Sequence, residues 1–546
     1  MKTILVLGGY GTFGGRIARR AAAAGFRVLV AGRDLAKAEA FCGGDPALVP
    51  LSVAGRSLND VLAEQRPFAL IDAAGPFQAS GYGTAEAALK ARCHYLDIAD
   101  ASGFVAGISA LDAEAKRAGI SLISGASSVP ALSGAVARSL AEGLDRVTAV
   151  EMALSASSRG TAGLSVTAAI LSYVGRRVSL RRGGRASAAF GWQELRRADF
   201  TVEGAPALRG RLVAIADVPD LRLLPERLAG RPTVEFRAGT DAPWHNVGLW
   251  LLSWPVSWGW LRRPERFAGS LSRVQRWTRG RGSLRSAFAV RLWGVAGGHR
   301  VERAWTLLAE AGDGPEIPSL AVPILLQRLA AGDLPPGAGD AGIALSLEEF
   351  EPALATLHAR WQTTERGLPP PLYAQAKGGA FDRLPPALRE IHSVLRDGGA
   401  SGEAMVTRGK HPLARLVAAL VGFPPAGAHR LHVCFQEREG VETWTRDFSG
   451  RLFSSRLSLR AGRLTERFGP FAFAFDLPSD PDGLEMVISR WWLRPLPLPL
   501  ILAPRSRARE WEEDGRFHFD VPIALPLIGD VVRYRGWLVP VSASAS

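Results

Sequence analysis

The chain has 546 residues, of which 47% are hydrophobic and 22% charged, and its formal net charge is +14. This composition excludes an intrinsically disordered chain, and the length predicts about two to four folded domains. The three cysteines, Cys42, Cys93 and Cys434, are too few and too far apart for a disulfide framework or a cysteine metal site, so we expect a cytoplasmic protein without a bound metal.

The first segment of the chain has the order strand, glycine turn, helix. An apolar run from Thr3 to Leu7 leads into a glycine cluster, and Ile17 to Ala24 is typical of a helix. Glycines follow the G-x-G-x-x-G spacing of a dinucleotide pyrophosphate site, where backbone N–H groups and a helix N-terminus meet the phosphates. The alternative is a Rossmann-type scaffold that has lost its cofactor. The residues expected to contact the cofactor here are Gly9, Tyr10, Gly11, Thr12, Phe13 and Gly14.

The second predicted strand, Phe26 to Ala31, ends in a pattern that favours NADP. An NAD site places an acidic residue here for the ribose hydroxyls, whereas Arg33 offers a guanidinium to a 2′-phosphate. Lys37, one helical turn on, is expected to assist. The alternative is that Asp34 binds the ribose and Arg33 is only solvated.

Later strands predict a complete doubly wound parallel sheet over residues 1–145. The strand Phe68 to Ala73 leads into Ala74, Gly75 and Pro76, which we expect beside the nicotinamide because ligands lie beyond the carboxyl ends of parallel strands. Further strands at Tyr95 to Ile98 and Ile120 to Ser124 bring the number to six.

Several motifs together resemble the saccharopine dehydrogenase-like NADP-binding family. They are GGYGTFGGRIAR, the AGR after the second strand, AAGPF and HYLDIAD, with a later GDGPEIP at residues 312–318. The resemblance covers about residues 1–350 and implies NADP-dependent redox chemistry on an unspecified substrate. Two features depart from it: residues 52–55 lack an acidic side chain near the adenine, and no residue set requires an amino-dicarboxylate substrate.

Two side chains in HYLDIAD are candidates for catalysis. Tyr95 and Asp97 alternate with apolar neighbours and so share one face of a strand. We expect Tyr95 to be the proton donor and Asp97 to act as an orienting group. The alternative is that Tyr95 packs in the core and Asp97 binds the following loop.

Residues 146–362 predict an α+β domain that builds the substrate pocket and offers a homodimer surface. Strands are expected at 147–155, 201–202, 212–215, 233–236 and 287–293, and helices at 161–174 and 317–331. Trp244 to Trp260 holds five tryptophans, and residues 262–285 hold eight arginines and one acidic residue. Tryptophan beside arginine is typical of a membrane interface, and the alternative is a core helix or the wall of an apolar pocket. No nucleic-acid motif accompanies the arginines.

A proline-rich linker is expected at residues 363–380, followed by a β-rich antiparallel domain at 381–546. An amphipathic helix is predicted at Phe381 to Leu395, and from Arg430 onward short β runs are separated by glycines about ten residues apart. This segment resembles the domain of unknown function 4166. Such a sheet can hold an apolar ligand, with residues 495–504 lining or covering it.

The sequence therefore predicts an NADP-dependent oxidoreductase that acts on an apolar or lipid-like substrate. The alternative is a cofactor-bound sensor or scaffold without turnover, in which the C-terminal domain binds a ligand.

Overall fold

The computed structural model describes residues 1–78, 80–159, 164–278 and 282–541. Three main sheets are present: a parallel sheet, a mixed sheet and an antiparallel barrel. The predicted succession of a Rossmann domain, an α+β domain and a β-rich domain is therefore confirmed. The start of the helix predicted from Thr161 lies outside the described residues.

The first domain is a parallel sheet in the order β6-β5-β4-β1-β2-β3, with helices on both faces. The three central residues of its apolar first strand are fully buried, and their side chains alternate between the two layers. Ile4 and Val6 pack with Ile17, while Leu5 packs with Leu62. The elements are β1 (Thr3–Leu7), α1 (Gly14–Ala23), β2 (Arg27–Gly32), α2 (Leu35–Cys42), β3 (Leu48–Ser52), α3 (Leu58–Gln65), β4 (Ala69–Asp72), α4 (Gly83–Ala91), β5 (His94–Asp97), α5 (Ser102–Gly107), α6 (Asp112–Ala118), β6 (Ser121–Ser124) and α7 (Ser133–Ala141).

The second domain is built on a mixed sheet that covers one side of the first. Its elements are β7 (Arg146–Ala156), α8 (Leu164–Tyr173), β8 (Arg177–Arg182), β9 (Arg185–Phe190), β10 (Arg196–Phe200), β11 (Leu208–Ile215), α9 (Asp220–Arg227), β12 (Thr233–Thr240), α10 (Pro243–Ser257), α11 (Ala268–Thr278), β13 (Ser286–Ala296), β14 (His299–Ala309), α12 (Ala321–Ala331), β15 (Gly337–Asp340), α13 (Leu347–Leu354) and β16 (Ala359–Gly367).

The mixed sheet has the order β10-β11-β12-β7-β13-β14-β16. Four of the five predicted strands lie within β7, β11, β12 and β13. The strand predicted at 201–202 is wrong, because β10 ends at Phe200 and Val202 is buried as a loop residue beside it.

A segment near the end of the second domain returns to the first. Strand β15 pairs in parallel with β6 and adds a seventh strand to the first sheet. Within the same segment, Glu316 accepts hydrogen bonds from Arg16 at 2.6 Å and Arg20 at 3.0 Å, both on α1. The GDGPEIP motif thus supports the helix that begins at the glycine loop.

The third domain is rich in antiparallel strands. Its elements are α14 (Leu372–Lys377), α15 (Pro386–Ile391), β17 (Asp397–Arg408), α16 (Pro412–Val421), β18 (Gly427–Arg438), β19 (Val441–Phe448), β20 (Arg451–Arg460), β21 (Arg463–Phe468), β22 (Phe471–Asp476), β23 (Ser479–Asp480), β24 (Gly483–Leu493), β25 (Leu496–Leu498), β26 (Arg507–Glu513), β27 (Arg516–Leu525) and β28 (Gly529–Pro540).

Ten of these strands close into a barrel, because β22 at one end of the sheet pairs with β24 near the other. The long helix predicted at Phe381 to Leu395 is divided into a 3₁₀ turn at Gly378–Arg383 and the short α15, with Leu384 and Pro385 between them. The expected linker at residues 363–380 contains the end of β16 and all of α14, which leaves residues 368–371 between the two elements.

A buried charge cluster joins the second domain to the barrel. Glu235 is 2% exposed and lies within 2.9 Å of both Arg182 and Arg237, with Arg438 of the barrel at 3.9 Å. Burial opposes ionisation of Glu235, but the surrounding guanidinium groups outweigh it and lower the pKa of its carboxyl below the usual range. The carboxylate therefore holds like-charged arginines from two domains together.

Helix α10 and the residues that follow it carry an exposed aromatic surface. Trp254, Trp258 and Trp260 form a ladder with ring centroids 5.9 and 5.0 Å apart, and the last two are 58% and 79% exposed. Such exposure is not expected of a buried core helix. Contact with a membrane surface stays a prediction. Among the described residues, no helix is both long and apolar enough to span a membrane.

We expect Glu235→Gln to destabilise the protein by about 3 kcal/mol, because it removes one charge from a buried network. Since the pKa of Glu235 is lowered on folding, its contribution is present above the unfolded pKa near 4.3 and is lost as the pH falls further. Thermal melting at pH 7 and at pH 3 measures both effects. Glu226→Gln is the control, because Glu226 is 58% exposed and pairs only at the surface. Equal melting temperatures for the two variants would contradict the prediction.

If the tryptophan ladder binds membrane surfaces, Trp258→Ala with Trp260→Ala will reduce co-sedimentation with anionic liposomes, because interfacial tryptophans supply much of such binding. Leu452→Ala, which removes an exposed apolar side chain from the barrel wall, is the control. Undiminished binding by the double variant, or no binding by the unaltered protein, would remove the membrane interpretation.

Candidate functional site

The glycine loop brings α1 close to β1. A side chain at Gly14 is excluded, because its Cβ would lie 2.2 Å from the Gly8 carbonyl oxygen. No acidic residue occupies the first turn of α1, and no side chain caps its start. Within the described residues the N–H groups of Thr12 and Phe13 make no hydrogen bond. The helix N-terminus and these groups are therefore free to bind an anion, as a pyrophosphate requires.

The end of β2 holds the residues expected to choose between NAD and NADP. Asp34 caps α2, with its Oδ1 accepting the Lys37 N–H at 3.2 Å and its Oδ2 lying 2.9 Å from Lys37 Nζ. These bonds from Lys37 lower the pKa of Asp34. Arg33 is exposed and makes no hydrogen bond or ion pair with the described residues. Arg33 is thus the available charged group, while the carboxylate and Lys37 are paired with each other.

Tyr10 connects the glycine loop to this turn. Its ring lies directly over Gly32, where a Cβ would approach the ring to 2.1 Å, and its hydroxyl accepts the Asp34 N–H at 3.1 Å. The sequence predicts Tyr10 as a cofactor contact, and the structure gives it a second task in fixing the position of the turn that carries Arg33.

The loop at residues 74–76, expected beside the nicotinamide, begins next to the glycine loop. A Cβ at Gly8, whose φ is +70°, would lie 3.0 Å from the Ala73 carbonyl oxygen and 3.3 Å from the Ala74 Cα. The Asp72 carboxylate accepts the Ala74 N–H at 3.0 Å and holds the start of this loop. Burial raises the pKa of Asp72.

Tyr95 and Asp97 share one face of β5, as expected, and both are fully buried. Asp97 Oδ1 accepts hydrogen bonds from Ala99, Ser124 and Gly125 at 2.8 to 3.0 Å, and burial raises its pKa to about 6. Burial, with Asp97 nearby, also raises the pKa of Tyr95 well above its ordinary value. Their expected catalytic roles stay predictions, and their burial fits the alternative in which Tyr95 packs in the core and Asp97 binds the following loop.

A cluster of titratable groups that sequence reasoning missed lies between the first two domains. Asp100 follows β5, Asp217 follows β11, and Tyr173 ends α8. Burial raises the pKa of Asp217 to about 6, with Arg222 opposing the shift and Asp100 adding to it. Burial also raises the pKa of Tyr173, and Asp100 and Asp217 add to that shift.

This cluster is partly open to solvent, as expected for residues that line a cleft. Asp100 is in contact with solvent, although desolvation by the surrounding protein raises the pKa of its carboxyl. Its Oδ1 accepts a hydrogen bond from Gln78 at 3.0 Å. Tyr173 is half-buried. The three residues come from distant parts of the sequence, so no motif marks them. Perturbed acids beside a solvent-accessible tyrosine are typical of sites for proton transfer.

Two family models match the chain. Residues 4–123 match the saccharopine dehydrogenase NADP binding domain, and residues 384–538 match a domain of unknown function, DUF4166. No curated protein sequence matches the chain.

Three solved structures illustrate what the chain is similar to. Saccharopine dehydrogenase (L-Glu forming) from Saccharomyces cerevisiae is 14% identical over 67% of this chain and 100% of that one, with a TM-score of 0.43. Amine dehydrogenase from Mycobacterium smegmatis is 13% identical over 62% and 95%, with a TM-score of 0.34. The WlbA dehydrogenase from Thermus thermophilus, in complex with NAD and alpha-ketoglutarate, is 10% identical over 64% and 94%, with a TM-score of 0.29.

The two family matches agree with the resemblance that the sequence motifs carry. The matched N-terminal range contains the glycine loop, Arg33 and the loop at residues 74–76, so the cofactor is a nicotinamide dinucleotide. The chain therefore joins a saccharopine dehydrogenase-type NADP-binding domain, the nucleotide-binding part of an oxidoreductase, to a DUF4166 domain.

Proposed function

We propose that the chain is an NADP-dependent oxidoreductase that transfers a hydride to or from an apolar, lipid-like substrate held between its first two domains. The observation that carries the preference for NADP is the arrangement at the end of β2. An NAD site needs a carboxylate that is free to accept from the ribose hydroxyls. Asp34 already binds Lys37 and caps its helix, whereas Arg33 is exposed and available to a 2′-phosphate.

Different residues of the first domain suit the pyrophosphate and the nicotinamide of the cofactor. Free N–H groups at Thr12 and Phe13, with the N-terminus of α1, suit the pyrophosphate. The loop at residues 74–76 lies at the carboxyl end of β4, where the nicotinamide of a doubly wound sheet is expected. The bound cofactor supplies or accepts the hydride.

Tyr173 is our candidate for the proton. Its raised pKa keeps the hydroxyl protonated at neutral pH. The hydroxyl can therefore donate its proton to the substrate oxygen or carbon that becomes negative when the hydride is added. Asp217, with a pKa near 6, carries a negative charge at neutral pH and favours the protonated form of the tyrosine. Tyr173 keeps solvent contact, which Tyr95 lacks.

An apolar wall beside residue 76 supports the proposed substrate class. Phe77 and Phe104 pack with ring centroids 5.4 Å apart, and Leu223 of the second domain contacts the same cluster. Because Phe77 and Phe104 are themselves only 7% and 8% exposed, a hydrocarbon chain would contact the exposed edge of this cluster.

Arg33→Ala is expected to weaken NADPH binding by about 10- to 100-fold, because a charge-assisted hydrogen bond contributes about 1.5–3 kcal/mol. NADH binding is expected to stay unchanged. Fluorescence titration with both nucleotides measures the preference, and Arg27→Ala, at the other end of the same strand, is the control. An unaltered preference in Arg33→Ala would contradict this assignment.

Tyr173→Phe is expected to lower the rate of NADPH oxidation with enoyl or keto lipid extracts by about 100-fold or more while leaving NADPH affinity intact. Tyr95→Phe, the matched change on β5, is expected to keep most of the rate. The opposite result would assign the proton to Tyr95. Tight NADPH binding without oxidation on any extract would instead favour the sensor or scaffold alternative.

A further inference from the structure

The barrel encloses a cavity of about 420 Å³, which falls within the usual range for small-molecule sites. Its walls are mainly apolar side chains from neighbouring strands, such as Leu431, Val433, Phe519 and Ile523. The cavity belongs to the third domain and does not depend on the function proposed for the first two.

The two ends of the cavity differ. At one end α14 and α15 cover the barrel, with Lys377 Nζ donating to the Leu477 carbonyl at 2.9 Å and Glu512 accepting the Ala387 N–H at 2.7 Å. At the other end, Val417 and Val421 of α16 line the cavity. The closed end is therefore held by hydrogen bonds, and the end beneath α16 is the candidate mouth.

Exposed apolar side chains surround that mouth. On α16, Leu416 is 55% and Leu420 78% exposed, and across the rim Ile501 is 83% exposed and Leu527 fully so. All four lie at the same end of the barrel, where β17, β24 and β27 end and β18 and β28 begin. An apolar rim that continues into an apolar cavity suits the entry of a hydrocarbon chain.

A few polar side chains, among them Tyr373 of α14, also line the cavity. Arg446 pairs with Glu466 at 3.3 Å, and Glu510 lies 2.7 Å from His392 Nε2. The Tyr373 hydroxyl has Met486 Sδ as its hydrogen-bond partner among the described residues, at 3.8 Å, and a thioether is a weak acceptor. Each charge here already has a partner, while the tyrosine hydroxyl lacks a strong one.

We propose that the barrel binds a single-chain amphiphile with an uncharged hydroxyl or carbonyl head, its head near Tyr373 and its chain directed toward α16. The described cavity lining has one guanidinium group and two carboxylates, so its net charge is unfavourable for an anionic head. No free cation among these residues would compensate for the loss of the head's hydration. A hydroxyl head can exchange hydrogen bonds with Tyr373 and with Glu466 or Glu510 without adding a charge.

The test uses the full chain and N-phenyl-1-naphthylamine, an uncharged dye that fluoresces in apolar surroundings. The dye is expected to bind saturably, and 1-dodecanol is expected to displace it at about tenfold lower concentration than dodecanoate, because only the anion must give up hydration. Equal displacement by the two ligands, or stronger displacement by dodecanoate, would overturn the assignment of an uncharged head.

Variants locate the dye. Val433→Trp fills the cavity and is expected to weaken dye binding at least about tenfold, and Ala508→Leu, a smaller change in the same lining, is expected to weaken it less. Leu452→Trp adds the same ring as Val433→Trp to the exposed barrel wall and is expected to bind the dye like the unaltered protein. Near-ultraviolet circular dichroism verifies that each variant is folded. Full dye binding by a folded Val433→Trp or Ala508→Leu would overturn the proposal.

Discussion

The close approach of α1 to β1 is the constraint on which the cofactor site depends. Gly14 allows the helix to start against the Gly8 carbonyl, which leaves the helix N-terminus open toward the carboxyl edge of the sheet. Glu316, from a segment near the end of the second domain, holds Arg16 and Arg20 of the same helix. The position of this helix is thus coupled to the packing of the second domain, and that packing also brings Tyr173 and Asp217 near Asp100, which follows β5.

A second constraint fixes the barrel. The half-buried carboxylate of Glu151 and the buried carboxylate of Glu235 lie among arginines of the second domain and the barrel. Asp397 of β17 accepts hydrogen bonds from Gly183 and Thr233. These contacts hold the barrel near the end where β17 begins. The proposed mouth lies at the opposite end of the strands. The cavity and the cofactor cleft are therefore separate sites, and the barrel mouth does not open into the cleft.

Local signals in the sequence were sufficient to predict the first domain, and they also single out Arg33, whose role stays a prediction. Glycine spacing, apolar strands and the residue after β2 act over short distances, so their physical meaning can be read directly. The returning strand β15 could not be predicted, because Gly337 to Asp340 carries little apolar patterning and gains its place by pairing with β6. The barrel was predicted as an antiparallel sheet, but its closure depends on the distant pairing of β22 with β24.

The candidate proton donor also depends on contacts between distant parts of the chain. Tyr95 lies in a conspicuous motif near the cofactor edge, and burial could not be judged from its spacing. Tyr173, Asp100 and Asp217 meet only after two domains pack together. The tryptophan ladder was visible in the sequence, but whether its rings were buried or exposed depended on which side of α10 faces its neighbours.

The most direct measurement is a crystal structure of the full chain with NADP bound. We predict that the 2′-phosphate lies within hydrogen-bond distance of the Arg33 guanidinium, the pyrophosphate at the N-terminus of α1, and the nicotinamide beside residues 74–76 on the side that faces Tyr173. A 2′-phosphate that lies away from Arg33, or a nicotinamide turned away from the cleft that holds Tyr173, would contradict this prediction.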